Sequence, residues 1–240
     1  MNNEINDLED AIKQAAASLE AIGRALAEWR LNAAAGRFAQ SLGAMGVELI
    51  EMGLEAAAIQ AIQSLEAVGR AIADKDLDFA ARDAAASLGD VGRAATDRGL
   101  EAAAMQALTS LEAVGQASAA KGLDFGAWWA ALSLEAVGRA AAAKGFGSVA
   151  EQAADSLGAV GKAAAKKGLE PATEQTASSL AFLQLSAEDL VNLPPDSAEL
   201  SSSMIPEYES RLTESDRASY QRFKDYYEAN LKQFRAVRGI

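Results

Sequence analysis

The sequence predicts an all-α fold, an α-solenoid of antiparallel helix pairs with one extra helix at its C-terminal end. Three observations predict it. The dipeptide Ser-Leu recurs every 23 residues, eight times, beginning at Ser18, Ser41, Ser64, Ser87, Ser110, Ser133, Ser156 and Ser179. A glycine stands five residues after each of these serines, from Gly23 through Gly46, Gly69, Gly92, Gly115 and Gly138 to Gly161, and only the last copy differs, with Gln184. The stretches between are rich in alanine and leucine, which favour helix, and carry no strand-like alternation. A fixed period in this range is the mark of a repeat architecture.

Each unit reads as one helix of roughly 18–20 residues, about 30 Å long, plus a short turn. The turns fall at Lys-Gly-Leu-acid, as in Lys121-Gly122-Leu123-Asp124 and Lys167-Gly168-Leu169-Glu170. Glycine suits the left-handed residue that ends a helix, and the leucine supplies the hydrophobic contact of that cap. A base in the last turn (Lys75, Arg98, Lys121, Lys144, Lys167) and an acid at the next start (Asp78, Glu101, Asp124, Glu170) both suit the helix dipole. Pro171 stands where a first turn tolerates proline. The true unit is twice as long. Gly53–Ala58 matches Gly99–Ala104, and Leu77-Asp78-Phe79 matches Leu123-Asp124-Phe125, each 46 residues on. Two kinds of helix therefore alternate, which is the geometry of stacked α-hairpins.

This period and pairing, over roughly residues 5–185, resemble the HEAT/armadillo class, whose units run about 40–47 residues. The chain departs from the HEAT pattern in having no proline within the helix interiors and nearly the same motif in both helices of a pair. The resemblance implies a scaffold for protein partners, and in a minority of cases a nucleic-acid binder or an enzyme.

The domain organisation reads as a helical-repeat solenoid over 1–185, an acidic linker over 186–206 with Pro194-Pro195 and Ser201-Ser202-Ser203, and a C-terminal helical region over 207–240. The last holds all four tyrosines, Tyr208, Tyr220, Tyr226 and Tyr227, with Phe223 and Phe234. Terminal elements of a solenoid cover an exposed core face, so a capping helix is expected, with a detachable partner-binding helix as the alternative.

Composition narrows the chemistry. With no cysteine and no histidine, the chain has no thiolate, no imidazole base and neither of the two commonest zinc ligands. Asp74, Asp76 and Asp78 alternate but lack the glycine and terminal glutamate of a calcium loop. The expectation is a non-enzyme without cofactor or metal. The net charge of −12 opposes phosphate binding. No apolar run is long enough to span a membrane, and the first ten residues carry no base, so a cytoplasmic protein is expected.

Helical phase then sorts the columns. In the first helix Ile12, Ala15, Leu19, Ile22 and Leu26 share a face expected to be core. The repeated glycine predicts close helix approach. Glu20/Arg24, Glu66/Arg70 and Glu135/Arg139 read as solvated pairs four apart. Gln14, Gln60, Gln106 and Gln152 share one column, read as a ladder of amides between stacked repeats. Even helices have Arg37, Asp83, Trp129 and Gln175 there, and Ile59 and Met105 add apolar groups on the polar side. The main irregularity is Trp128-Trp129, which needs a cover, either the aromatic C-terminal helix or another protein. The function expected is a non-catalytic scaffold for a protein or peptide, with Trp128, Trp129, Arg82, Arg93 and Arg139 as partner-binding residues. Nucleic-acid binding or base repair on a HEAT-like solenoid, and self-assembly of the repeats, are the alternatives.

Overall fold

The computed structural model describes residues 2–190 and 214–238, with side chains described over 11–184 and 221–237. Among these residues all regular structure is helical. The helices are α1 (Asn2–Glu28), α2 (Asn32–Glu51), α3 (Glu55–Asp74), α4 (Asp78–Arg98), α5 (Glu101–Lys121), α6 (Asp124–Lys144), α7 (Gly147–Lys167), α8 (Glu170–Leu190) and α9 (Glu214–Arg238). Each packs on the next helix and on the one after that. The array is therefore two layers, α1-α3-α5-α7 and α2-α4-α6-α8, with buried alanine, leucine and valine between them. No helix is long and apolar enough to cross a membrane. Helix α8 runs on to Leu190, past the boundary expected at 185. Residues 191–213, including most of the expected linker and Tyr208, lie outside the described residues.

The turns close as the sequence predicts. Gly53, Gly99, Gly122, Gly145 and Gly168 all have φ between 73° and 78°. Each following residue closes the cap by donating its N–H five residues back, as in Leu100 to Ala95 O at 2.9 Å and Leu123 to Ser118 O at 2.9 Å. Arg30 and Asp76 take the same left-handed role without being glycine, at φ 55° and 59°.

Helix starts are less ordinary. From α2 to α7 each N-cap residue is leucine or phenylalanine, and none makes a side-chain cap. The cap comes from the preceding helix of the same layer. Asn32 Oδ1 accepts from Ala80 N (3.1 Å), Glu55 Oε1 from Ala103 N (3.3 Å), Asp78 Oδ1 from Gly126 N (2.8 Å) and Asp124 Oδ1 from Ala172 N (3.3 Å). Burial holds the Asp124 carboxyl above its ordinary range, only partly offset by the Ala172 bond. At the opposite ends the last-turn lysines reach back in the same way: Lys75 to Glu28 (2.6 Å), Lys121 to Asp74 (3.6 Å) and Lys144 to Asp97 (3.5 Å).

The glycine column explains the layer spacing. A Cβ on Gly23 would lie 2.7 Å from Val68 Cγ2, on Gly69 2.8 Å from Val114 Cγ2, and on Gly115 2.8 Å from Val160 Cγ2. The even layer repeats this with Gly46 on Val91, Gly92 on Val137 and Gly138 on Leu183. Each glycine is thus a socket for the branched knob 45 residues later. The column ends at Gln184 because no repeated helix follows to use it. Gly161 is filled instead by the Phe223 ring of α9.

Helix α9 docks the wrong way round. Arg222 and Tyr226 meet Glu170 at the start of α8, Arg222 Nη2 donates to Ala165 O at the end of α7, and Phe234 packs edge-on against Phe182 further along α8 at 6.1 Å. It therefore runs parallel to α8, whereas each repeated helix is antiparallel to the one before it. Phe223 and Tyr227 bury against Ala165, Ala177 and Ala181, which makes α9 a cap.

Two expectations about polar columns are corrected. The glutamines do not link repeats: Gln106 Nε2 donates to Ser110 Oγ in its own helix (3.3 Å), and Gln152 does so to Ser156 (3.2 Å). The link is the serine. Ser110 donates to Glu66 (2.9 Å), Ser156 to Glu112 (2.8 Å) and Ser179 to Glu135 (2.6 Å), each glutamate lying in the preceding helix of the layer. Glu66 and Glu135 are thus shared between their arginines and a neighbouring repeat rather than simply solvated. Where glycine replaces the glutamate, at Gly43 and Gly89, the serine Cβ of the next helix packs 2.6 Å from where the glycine Cβ would be. The first-helix face also shifts. Ala16, Gly23 and Ala27 are buried, while Ala15 is exposed and Ile22 is 48% exposed, because among the described residues no helix stacks on that side of α1 to receive its knob.

Candidate functional site

A stacked pair of uncovered aromatic rings lies at the starts of two even helices. Phe79 and Phe125, each the second residue of its helix, stack with ring centroids 5.5 Å apart and an interplanar angle of 22°. They are 54% and 51% exposed, so the array gains little burial from either ring. Ala33 and Pro171 occupy the same column in α2 and α8, and both are exposed. The 46-residue register that stacks helices also stacks these positions.

Arg82 extends the patch. Its guanidinium lies 5.7 Å from the Phe79 ring centroid, held by two hydrogen bonds to Asp83 Oδ1 at 3.0 and 2.6 Å. A cation over a ring face adds to an otherwise apolar contact. One turn beyond Phe125 stand Trp128 and Trp129, on the same side of α6 by helical spacing. Their rings meet edge to face, with centroids 5.6 Å apart at 83°.

Both tryptophans are half-buried. Trp128 packs against the buried cluster of Ala119, Ala127, Ala164 and Ala172, and Trp129 packs against the main core. Among the described residues the rings of α9 belong to a different cluster, on α7 and α8. Among the described residues the neighbouring repeats supply the cover, because α6 is interior to the array and α9 packs on α7 and α8. Ile59 and Met105 likewise pack at the edge of the core.

Of the five residues singled out by sequence, Arg82 lies at the phenylalanine stack, and Trp128 and Trp129 stand one turn beyond Phe125 by helical spacing. Arg93 and Arg139 stand apart. They share a column about 16 Å further along their helices, by the rise of eleven residues. Arg93 pairs with Asp90 at 2.9 Å. Arg139 pairs with Glu135 at 3.6 Å and lies 4.8 Å over the Phe182 ring. Each of the three arginines has a carboxylate partner, which is poor preparation for phosphate. Sequence reasoning passed over Phe79 and Phe125. The signal was present in the Leu-Asp-Phe match, whose phenylalanines sit at a helix start where alanine, serine and proline stand in other units.

Among the described residues no cluster of acids is placed to hold a metal ion. No protein-family model matches the chain, and no curated protein does. The all-helical repeat is therefore established by its geometry alone.

Proposed function

We propose that the chain is a non-catalytic scaffold that binds a protein or peptide on the Phe79–Phe125 stack and the adjoining Arg82, Trp128 and Trp129. The observation that carries this is a stacked aromatic pair, half in solvent, at positions the repeat itself fills with small residues. Rigid aromatics are what binding hot spots are made of, and a helical array holds them without ordering cost at the moment of binding. The net charge of −12 favours a partner with an apolar anchor flanked by basic residues. The pairing of helices in 46-residue units resembles that of the HEAT/armadillo class, and this likeness supports a scaffold without naming its partner.

The test is a displayed-peptide selection on the full chain, followed by calorimetry. Peptides won on the wild type are expected to lose at least about tenfold in affinity, or about 1.4 kcal/mol, on a Phe79→Ser, Phe125→Ser double variant of unchanged helicity. Equal affinity for both chains would remove the patch as the binding site.

A further inference from the structure

We infer that the two ends of the odd layer are complementary halves of one joint, and that α9 is a stopper preventing head-to-tail association of this chain with a second copy. The inference is independent of the aromatic patch. It follows from the three odd-layer joints already present: α1–α3, α3–α5 and α5–α7. In each, a Val knob enters a Gly socket: Val68 on Gly23, Val114 on Gly69, Val160 on Gly115.

Helix α1 carries the knob with no socket. Ile22 holds the position of Val68, Val114 and Val160, yet it is 48% exposed where they are fully buried. Ala15 and Ser18 beside it are exposed, where their equivalents Ala61 and Ser64, and Ala107 and Ser110, are buried. Helix α7 carries the matching sockets with no repeated helix on them. Gly158 has nothing within 4 Å of where its Cβ would be. In α2 and α4 the equivalent glycines, Gly43 and Gly89, receive Ser87 and Ser133. Ser18 already has the pose such a joint uses, its hydroxyl donating to Gln14 O at 2.9 Å as Ser87 does to Asp83 O at 2.8 Å. The second socket, Gly161, is the one Phe223 occupies.

A copy whose Phe223 is withdrawn thus offers Gly158 and Gly161 to the Ser18 and Ile22 of its neighbour. A heterologous contact of this kind adds subunits without closing. The even layer adds no equivalent socket, since Gln184 stands in place of glycine, so the odd joint decides the outcome. Within one chain Phe223 is tethered and outcompetes a free neighbour at ordinary concentrations.

The test uses full-length chains in sedimentation velocity. The wild type is expected to stay monomeric, and Phe223→Asp to associate increasingly across a hundredfold concentration range with helicity retained. Should Phe223→Asp lose helicity, the milder Phe223→Ala takes its place. Two blocks then identify the joint. In the Phe223-substituted background, Ile22→Glu removes the knob and Gly158→Leu fills an open socket, and each alone should restore a monomer. Mixed, these two blocked chains should give a one-to-one dimer and nothing larger, since one intact knob and one intact socket remain between them. The inference fails if the Phe223 variants remain monomeric, if association persists through either block, or if the mixed chains do not pair.

Discussion

At the scale of single residues the same amino acid carries opposite meanings according to what stacks on it. Gly115 and Gly158 are both interior helix glycines of the odd layer. A Cβ on Gly115 would lie 2.8 Å from Val160 and 2.9 Å from Ala130, whereas one on Gly158 would meet nothing within 4 Å. Gly115→Ala is therefore expected to cost about 1–3 kcal/mol through overpacking. Gly158→Ala should stabilise the chain by up to about 1 kcal/mol through helix propensity alone. Urea melts of the two variants give the sign directly, and a stabilising Gly115→Ala would refute the socket. That the glycines mark close approach was legible from their period. Which of them are filled was not, because exposure depends on the number of neighbours a helix has. Ile22 misled for that reason: its spacing is that of a core residue, and only its place at the end of the row puts it in solvent.

At the scale of the helix, the acid at each start is the informative feature. Sequence alone reads Asp78 as a favourable charge at the N-terminus of its own helix, α4. In the structure its carboxylate accepts from Gly126 N, 48 residues away, at the start of α6. Loss of a helix cap costs about 1 kcal/mol. Asp78→Ala is expected to destabilise by that amount. Amide exchange should then accelerate at Phe125 and Gly126 more than at Ala80, whose amide is capped by Asn32. Faster exchange confined to the start of α4 would show that the capping is local after all. The helices, their turns and their pairing were all readable in one dimension. The direction of α9 was not, because nothing in a helix's own sequence records which way it lies on a neighbour.

At the scale of the whole molecule, stability is a sum over hairpins and the joints between them. Excision of residues 55–100, one two-helix unit, brings Gly23 against Val114, Gly43 against Ser133, and Asn32 against the Gly126 amide. These three pairings are of kinds the chain already uses, while the Arg30–Asp76 pair is lost and Gly36, which meets Asp83, comes to face Trp129. The shortened chain is expected to stay helical and to unfold cooperatively at a lower midpoint, as circular dichroism in denaturant would show. A collapse of helicity would mean the units are not interchangeable. The layered architecture was predictable because a period of 46 residues imposes it. The aromatic patch was only half legible: Trp128-Trp129 stood out as a break in the repeat, while Phe79 and Phe125 were hidden by conforming to it.

Most bonds between repeats share one arrow, with Arg30, which donates forward to Asp76, as the exception. Glu66 waits for Ser110, Asp78 for the Gly126 amide, Glu28 for Lys75, and Gly23 for Val68. In each case the receiving residue is made first. Since synthesis delivers the N-terminal part of a chain ahead of the rest, every new helix leaving the ribosome finds its acceptors and sockets already in place. Helix α9 keeps this order of arrival, since Glu170 and Gly161 precede Tyr226 and Phe223, but it meets a hairpin that is already complete and lies back along it, so the row closes on the segment that follows its last repeat.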